Sequence, residues 1–246
     1  IAPRLSWAGH SLPPEFRRQL EHDANAPIFG NPDGDASLIE FFDYNCQFCR
    51  AMMPVVDAVL GADSGLRMVM REWPVFGEGS VFAARAALAS RKQDRYADFH
   101  RALMSQKPRA ERASVLRVAR SMGLDTQQLQ RDMNGPEIAQ HIQQSNTLAE
   151  AMGLVGTPTF IAGSDSRFGA ISSSELAELV AASRRKGMWM GGYVPLGYRV
   201  ENRKLLVNEE EAASVRLIFE RFVKLGSIKL LMRELQAANI RSRRGY

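Results

Sequence analysis

The sequence predicts an α/β body that contains a helical insertion and is followed by a small basic α+β module. Strand-like apolar runs occur at residues 35–42 and 66–72, and again after residue 158. Between them, residues 79–152 carry apolar side chains at helical spacing, interrupted by Gly and Pro. This alternation of strands and helices indicates the α/β class.

Charge divides the chain into two parts. Residues 1–183 hold 18 basic and 21 acidic residues, a net charge of −3, whereas residues 184–246 hold 14 basic and 6 acidic residues, a net charge of +8. A mildly acidic body and a basic tail suggest two modules, the tail being a candidate for binding nucleic acid or an anionic surface. The alternative is a solvated charged face. We expect the boundary near Ser183.

Composition excludes several classes of protein. With 246 residues, 45% of them hydrophobic, the chain is long enough to bury a core and is not disordered. Its two cysteines exclude a disulfide-stapled miniprotein and a structural zinc finger, and we predict neither a metal nor a cofactor. No run approaches the roughly 18 apolar residues of a membrane span. No signal segment follows Ile1, so this N-terminus does not indicate a compartment.

The elements of the body follow in order from these patterns. Two buried strands are predicted, and a helix begins at the Cys46-Gln-Phe-Cys49 motif between them. Several helices over 79–152 then form the insertion. The remaining predicted elements are strands at Thr159–Ala162 and Phe168–Ile171 and a helix that starts at Ser172–Ser174 and ends at Ser183–Arg184.

A C-x-x-C motif after a strand and at the start of a helix is the arrangement of redox-active cysteines. The helix N-terminus stabilises a thiolate at Cys46, which we expect to be exposed and to attack a substrate sulfur. Cys49 lies one helical turn further on, where it can resolve the mixed disulfide. One alternative is that the two cysteines are half of a metal site, although the four histidines form no ligand-spaced pair. The other is that both cysteines are inert buried thiols.

Two further features favour the redox interpretation. Glu40 lies six residues before Cys46 inside an apolar strand, where an unpaired carboxylate is costly, and we predict that it exchanges protons with Cys49. Its alternative is an outward-pointing residue of an edge strand. Thr157-Pro158 precedes a new strand, where a cis bond would aim the Thr157 backbone at a neighbouring sulfur, although Thr-Pro alone also fits an ordinary turn.

Four segments together resemble the DsbA family of bacterial thiol–disulfide oxidoreductases, within it the ScsC-like branch, over about residues 26–183. The segments are Phe41-Phe-Asp-Tyr-Asn-Cys-Gln-Phe-Cys49, Arg71-Glu-Trp-Pro74, Ser80-Val-Phe-Ala-Ala-Arg-Ala-Ala87 and Val155-Gly-Thr-Pro-Thr-Phe160. The resemblance implies a thioredoxin fold with a helical domain inserted at about 79–152. It also implies a periplasmic or envelope location, protein dithiol or disulfide substrates, and a redox partner.

The same resemblance assigns the site residues. It implies that Cys46 is the nucleophile, Cys49 the resolving thiol and Glu40 the buried carboxylate, and that Thr157 and Pro158 form a cis-Pro loop against the disulfide. The dipeptide between the cysteines is Gln-Phe, without the histidine of strongly oxidising relatives. Oxidase, reductase and isomerase directions therefore stay open. The lack of a clear dimerisation domain in residues 1–25 slightly disfavours an isomerase.

The tail is predicted to contain a hairpin turning at Glu201–Arg203 and two short helices. Asn208 and Glu211 resemble a capping box for the first helix, and Ser227 caps the second. The predicted inner faces are Val215, Ile218, Phe219, Phe222 and Val223 in the first helix and Ile228, Leu231 and Leu235 in the second. Two helices with a basic arm fit a DNA-reading unit, and a small helical appendage is the alternative.

Three segments of the tail are similar to the DNA-binding domain of large serine recombinases: Lys186–Tyr198, Asn208–Ala212 and Gly226–Gly245. The catalytic domain of that family is not in this chain, so no strand exchange is predicted. The resemblance leaves room only for non-specific phosphate contacts, for which the candidates are Arg203, Lys204, Arg241, Arg243 and Arg244.

The two resemblances point to different compartments, because disulfide chemistry belongs outside the cytoplasm and recombination inside it. We therefore interpret the chain as an accidental fusion joined at Ser183–Arg184. The function expected first is a thiol–disulfide oxidoreductase acting through Cys46 and Cys49. The alternatives are a DNA-binding fragment of a recombinase and an inert chimeric remnant.

Overall fold

The computed structural model describes residues 14–185, 194–201, 204–238 and 240. The contacts between Cα atoms divide the chain into two compact units. The first contains the described residues up to Arg185, and the second contains those from Val194 onward. Within the described ranges, no helix has both the length and the apolar character needed to cross a lipid bilayer.

The first unit is built on a mixed five-stranded sheet. Its strands are β1 (Ile28–Gly30), β2 (Ala36–Phe42), β3 (Leu66–Glu72), β4 (Thr159–Ala162) and β5 (Asp165–Phe168). They lie in the order β1-β3-β2-β4-β5, with β2 and β3 parallel and every other neighbouring pair antiparallel. The central strands β2 and β3 are buried along their whole length, as their nearly continuous apolar runs predict.

Among the described residues of the first unit, eight helices surround this sheet or form the insertion. They are α1 (Pro14–His22), α2 (Gln47–Ala62), α3 (Glu78–Ala89), α4 (Tyr96–Ser105), α5 (Arg112–Ser121), α6 (Thr126–Asp132), α7 (Pro136–Ala151) and α8 (Ser173–Arg185), with a short 3-10 helix at Ser90–Gln93 after α3. Helices α3 to α7 lie between β3 and β4 in the chain, so the predicted α/β architecture with a helical insertion is confirmed.

The pleat of β2 sends alternate side chains to different layers. Ile39 and Phe41 pack with Leu148 and Ala149 of α7 in one apolar cluster. Because successive side chains of a strand point to opposite faces, Glu40 lies on the other face of the sheet. Helix α8 packs against β2, β4 and α2.

One predicted strand in this unit needs correction, and two elements were not predicted. The strand predicted at Phe168–Ile171 begins earlier, at Asp165, because the chain reverses directly after β4 and Ala162 pairs with Asp165. Gly169 then leaves the strand with a φ of 87°, a conformation that favours glycine. The short strand β1 was not predicted, since three residues carry almost no periodic signal. The nine-residue helix α1 was not predicted either.

The second unit consists of a hairpin, β6 (Tyr198–Glu201) and β7 (Lys204–Val207), and two helices, α9 (Glu209–Leu225) and α10 (Ile228–Ala237). These elements agree with the predicted hairpin and helices. The capping box is wrong: the Asn208 amide donates to the Gly197 carbonyl at 2.9 Å, and the Glu211 carboxylate accepts from the Gly197 amide at 3.0 Å.

The predicted inner face of α9 is also wrong. Phe219 is 66% exposed and Val223 81% exposed, and Ile228 at the start of α10 is exposed as well. Among the described residues of this unit, Ala212 and Leu231 are the buried apolar side chains. The hairpin and the helix α10 offer too little surface to cover the whole apolar face of α9.

Candidate redox site

Cys46 forms the N-cap of α2, directly after the turn that leaves β2. Its backbone is extended, with φ −76° and ψ 113°, and its sulfur accepts a hydrogen bond from the Cys49 amide at 3.3 Å. The Cys46 amide donates to the Asp43 carbonyl at 3.1 Å, which closes the turn. The sulfur therefore lies at the positive end of a 16-residue helix, where a thiolate is stabilised.

The predicted exposure of Cys46 is wrong. Cys46 is 2% exposed and Cys49 is 1% exposed, and both are free thiols. The reason is the loop before β4, in which the Thr157–Pro158 peptide bond is cis. The Cys46 thiol donates a hydrogen bond to the Thr157 carbonyl oxygen at 3.3 Å, so this loop covers the sulfur.

The two thiols have opposite acidities. The pKa of Cys46 is lowered to about 6, chiefly because the Cys49 side chain donates a hydrogen bond to its sulfur. Burial opposes this effect, while Thr157 and the backbone amides of Cys49 and Phe48 add to it. Burial raises the pKa of Cys49, and the hydrogen bond of its side chain to Cys46 and the nearby charge of Glu40 raise that pKa further. One thiol is thus ready to ionise at neutral pH while the other keeps its proton.

Glu40 lies in the centre of the sheet rather than on an edge. It pairs with Met70 of β3 on one side and Phe160 of β4 on the other, and it is 3% exposed. Burial raises the pKa of Glu40 to about 8, and the negative charge of Cys46 adds to that shift. A carboxyl group with this pKa changes protonation state near neutral pH, beside the thiol that must lose or gain a proton.

A second carboxylate beside the motif was not predicted. Asp43 is 1% exposed and accepts four hydrogen bonds, which come from Asn45, Val75, Phe76 and Ser80. An Asp at the start of a turn is a common capping residue, so the Asp-Tyr-Asn sequence could have indicated its bond to Asn45. No local pattern could have indicated donors more than 30 residues away.

A buried charged network also escaped prediction. Arg71 is fully buried and donates to Asp23 at 2.7 Å, and His141 contacts Asp23 at 3.2 Å and Glu72 at 2.8 Å. The Tyr96 hydroxyl donates to Glu72 at 2.6 Å. Although burial raises the pKa of Asp23, hydrogen bonds from His141 and from a backbone amide, together with the charge of Arg71, lower it to about 2. The network joins α4 and α7 of the insertion to strand β3.

Exposed apolar side chains accompany the buried thiols. Phe48 lies between the two cysteines and is 51% exposed, and Val155 lies two residues before Thr157 and is 67% exposed. Val75 and Phe76 are also exposed, and their amides bond to Asp43, three residues before Cys46. We call Phe48, Val75, Phe76 and Val155 the apolar rim.

Most of the candidate DNA-binding residues of the tail lie outside the described part of the chain. Arg203, Arg241, Arg243 and Arg244 lie outside the described residues, and Lys204 lies in β7 but its side chain is not described. Other basic side chains of the tail are paired with acidic neighbours, in the ion pairs Arg199–Glu201, Arg216–Glu209 and Arg221–Glu234. In the described ranges, no group of three or more potential ligands gathers where it could hold a metal ion.

Comparison with known families agrees with this geometry. Residues 37–181 match the DSBA-like thioredoxin domain, so the predicted thioredoxin fold is confirmed. A thioredoxin-like oxidoreductase from Silicibacter pomeroyi is 50% identical, with a TM-score of 0.68, over 69% of this chain and 98% of that one. The thiol–disulfide exchange protein alpha-DsbA2 from Wolbachia pipientis is 27% identical, with a TM-score of 0.64, over 68% and 91%. The catalytic domain of Proteus mirabilis ScsC shares the fold at 24% identity and a TM-score of 0.63, over 69% and 94%.

Curated relatives include much longer proteins. A Na(+)/H(+) antiporter NhaA of Herminiimonas arsenicoxydans is 27% identical over 71% of this chain, and this chain spans 27% of that protein. An NhaA 1 of Mycobacterium sp. (strain KMS) is 29% identical over 75% of this chain, which spans 32% of it. The family match ends at residue 181, before the basic tail, and none of the comparisons supports the recombinase resemblance of the tail.

Proposed function

Because this chain belongs to the DSBA-like thioredoxin domain family, we propose that it is a thiol–disulfide oxidoreductase that acts on other proteins through Cys46 and Cys49. The observation that carries the proposal is the capping position of Cys46. Its sulfur accepts the Cys49 amide at the start of α2 and lies against the Thr157 carbonyl. Such a position favours the thiolate, which is the attacking form in thiol–disulfide exchange.

The reductive direction uses the reduced chain. The Cys46 thiolate attacks one sulfur of a substrate disulfide, forming a mixed disulfide and releasing the other sulfur as a thiolate that takes up a proton. Cys49 then loses its proton to Glu40 and attacks the Cys46 sulfur, which breaks the mixed disulfide and releases the second substrate sulfur as a thiolate that takes up a proton. The products are the Cys46–Cys49 disulfide and a reduced substrate dithiol, so the two electrons gained by the substrate come from the two cysteines.

The oxidative direction reverses these steps. A substrate thiolate attacks Cys46 in the Cys46–Cys49 disulfide, and Cys49 leaves and takes a proton from Glu40. The second substrate thiol then displaces Cys46. The Thr157 carbonyl lies against the attacked sulfur. We propose that Thr157 and Pro158 form the loop against which the substrate chain aligns in both directions.

The apolar rim supports an unfolded or loosely folded polypeptide as substrate. Apolar side chains that gather into one exposed patch mark a site of contact with an apolar partner, and we propose that the apolar rim is such a patch. Phe48 lies two residues after Cys46 in the first turn of α2, and Val155 lies two residues before Thr157, whose carbonyl contacts the Cys46 sulfur. A small disulfide such as that of glutathione would need none of these side chains, whereas the residues around a substrate cysteine would cover them.

The test compares three chains in insulin reduction and in refolding of reduced ribonuclease. Cys46→Ala is expected to abolish turnover, because the attacking thiolate is gone. Cys49→Ala should still attack but stop at a mixed disulfide, which non-reducing electrophoresis detects. Unchanged turnover by Cys46→Ala would refute the proposal. A glutathione redox titration of the unsubstituted chain then decides the direction, since a more oxidising midpoint favours disulfide donation.

We propose a periplasmic or envelope location for this chemistry, in keeping with the oxidising compartments in which disulfides persist. The DNA-binding interpretation of the tail stays a prediction. Its test is a gel shift of duplex DNA at low salt, with the full chain and with a chain ending at Arg185. Binding that weakens with salt and is lost with the tail would support phosphate contacts, and equal mobility with both chains would refute them.

A further inference from the structure

Asp43 joins two segments that are remote in sequence. One carboxylate oxygen accepts from the Asn45 amide at 2.6 Å and from the Ser80 hydroxyl at 2.7 Å. The other oxygen accepts from the amides of Val75 and Phe76, at 2.7 and 3.0 Å. The first oxygen therefore holds the turn that leads into Cys46, and the second holds the rim segment that follows β3.

The turn is held from a second direction. The Asn45 side-chain amide donates to the Ala110 carbonyl at 3.1 Å and to Ser80 at 3.0 Å, and its oxygen accepts from the Ala110 amide at 2.7 Å. The insertion therefore supports the turn directly. The amides of Val75 and Phe76 have no such second partner among the hydrogen bonds of the described residues. The Phe76 carbonyl also accepts from the exposed Arg109 side chain at 3.2 Å, so Asp43 is the buried anchor of this segment and Arg109 an exposed one.

The bonding pattern needs a carboxylate. All four neighbours donate, and a carboxylate accepts at both oxygens. An asparagine would have one accepting oxygen and one NH2 group, and that group would face a backbone N–H in either orientation of the side chain. A buried N–H without an acceptor is costly, so the neutral side chain of the same shape cannot hold both segments.

We infer that Asp43 is a positioning residue, which fixes the Val75–Phe76 part of the apolar rim beside the Cys46 sulfur so that a polypeptide substrate contacts both at once. This inference rests on the proposed function. It makes Asp43 necessary for polypeptide substrates and unnecessary for small disulfides, because a small disulfide reacts at the sulfur without covering the rim.

The experiment measures Asp43→Asn with two substrates, insulin and glutathione disulfide. We expect KM for insulin to rise at least about tenfold with kcat little changed, because small displacements of a binding segment have large effects on productive contact. The rate with glutathione disulfide should stay within about twofold of that of the unsubstituted chain. The pKa of Cys46 should change by no more than a few tenths of a unit. Asp43→Glu, which keeps two accepting oxygens, should recover part of the loss. Asp57→Asn, an exposed carboxylate on α2 that pairs with Arg101, is the matched control.

A double-substitution cycle separates the rim from the sulfur. If Asp43 acts through the rim, Asp43→Asn should cost little further when Val75 and Phe76 are already replaced by serine. An equal loss with both substrates, or a loss that persists in the serine background, would overturn the inference, and so would unchanged KM for insulin. The proposed function fails separately, if the unsubstituted chain does not react with glutathione disulfide.

A second measurement applies if Asp43→Asn does not fold. Cys49→Ala is used to trap a cysteine-containing apolar peptide on Cys46, and amide hydrogen exchange is followed at Val75 and Phe76. Slower exchange in the trapped complex than in the free protein is expected, because the peptide would cover a segment that Asp43 already orders. Exchange at the same rate in both would overturn the inference.

Discussion

Two buried groups of ionisable side chains in the first unit differ in whether the charges have partners. Around Asp23, a carboxylate meets the Arg71 guanidinium and His141, and its pKa falls to about 2. Around Glu40, the carboxyl group faces the thiols without an ion pair in the described residues, and its pKa rises to about 8. Burial disfavours charge in both places, so the partners decide the sign of the shift.

The comparison assigns a different use to each group. In the paired network the pKa of Asp23 lies far below neutral pH, so this carboxylate keeps its charge there and its pairing contributes to holding the insertion on the sheet. An unpaired carboxyl group costs stability when it ionises but can take and return a proton near neutral pH. The redox site is therefore expected to trade stability for reactivity, whereas the Asp23 network is expected to show no such trade.

The largest effect is expected from breaking the paired network. Asp23→Ala leaves the fully buried Arg71 cation without its carboxylate, which should lower the free energy of unfolding by about 3–5 kcal/mol. Urea denaturation monitored by circular dichroism measures this change. Asp98→Ala, at an exposed carboxylate on α4, should cost less than about 1 kcal/mol. If Asp23→Ala lowers the free energy of unfolding no more than Asp98→Ala does, the Asp23–Arg71 pair is not important for stability.

Replacing Glu40, the unpaired carboxyl group, should raise the free energy of unfolding rather than lower it. The folded chain keeps the Glu40 proton up to about pH 8, whereas the unfolded chain releases it near the ordinary value of 4.5. The folded state therefore binds more protons between these values, and stability falls as pH rises through this window. Glu40→Gln should remove that loss and stabilise the chain by roughly 2–4 kcal/mol at pH 7, with little difference at pH 4.

The measurement is urea denaturation of both chains from pH 4 to pH 8, together with the rate of insulin reduction. The substituted chain should be more stable and slower, because Cys49 loses its proton acceptor. Parallel stability curves would show that Glu40 keeps its charge in the fold. Glu78→Gln, at an exposed glutamate at the start of α3, is the control.

A smaller effect concerns the acidity of Cys46. Because the Cys49 side chain is the chief cause of the lowered pKa of Cys46, Cys49→Ala should move the pH midpoint of Cys46 alkylation upward from about 6 by roughly one unit or more. Iodoacetamide labelling followed by mass spectrometry measures the midpoint in each chain. A midpoint that stays at the same pH would assign the shift to the helix amides instead.

The smallest effect is expected in the second unit. Arg221 and Glu234 form an ion pair at 2.6 Å, as short as the 2.7 Å pair of Arg71 and Asp23 or slightly shorter, but both side chains are 39% exposed. Water and salt weaken such a pair, so Arg221→Gln should change local stability far less than Asp23→Ala does. Hydrogen exchange of the α9 and α10 amides measures it, and a change comparable to that of Asp23→Ala would mean that exposure does not separate the two pairs.

The fold and the motif could be predicted because their signals are local. The apolar runs of β2 and β3 and the C-x-x-C motif at a helix start each lie within a few neighbouring residues, and the structure places them as expected. Glu40 was singled out because a charge inside such a run breaks the pattern. These features need no knowledge of which segments meet.

The rest depends on contacts between distant segments. The covering of Cys46 comes from a carbonyl 111 residues away, and the Asp23–His141 contact spans 118 residues. The polar residues of that network have no spacing that distinguishes them from surface residues. The exposed face of α9 was missed for the converse reason, since helical spacing indicates an apolar stripe but not whether a neighbour covers it.

Arg184, near the end of α8, bears on the history of the chain. Its guanidinium bonds to Asp63 at 2.6 Å and to Asp35 at 2.7 Å, which brings the segment after α2 and the start of β2 together under one side chain. If two genes had been joined after Ser183, the first residue of the incoming gene would have to match two carboxylates already in place. An ancestral protein that kept its own arginine needs no such coincidence, so we expect any junction to lie after Arg184 rather than before it.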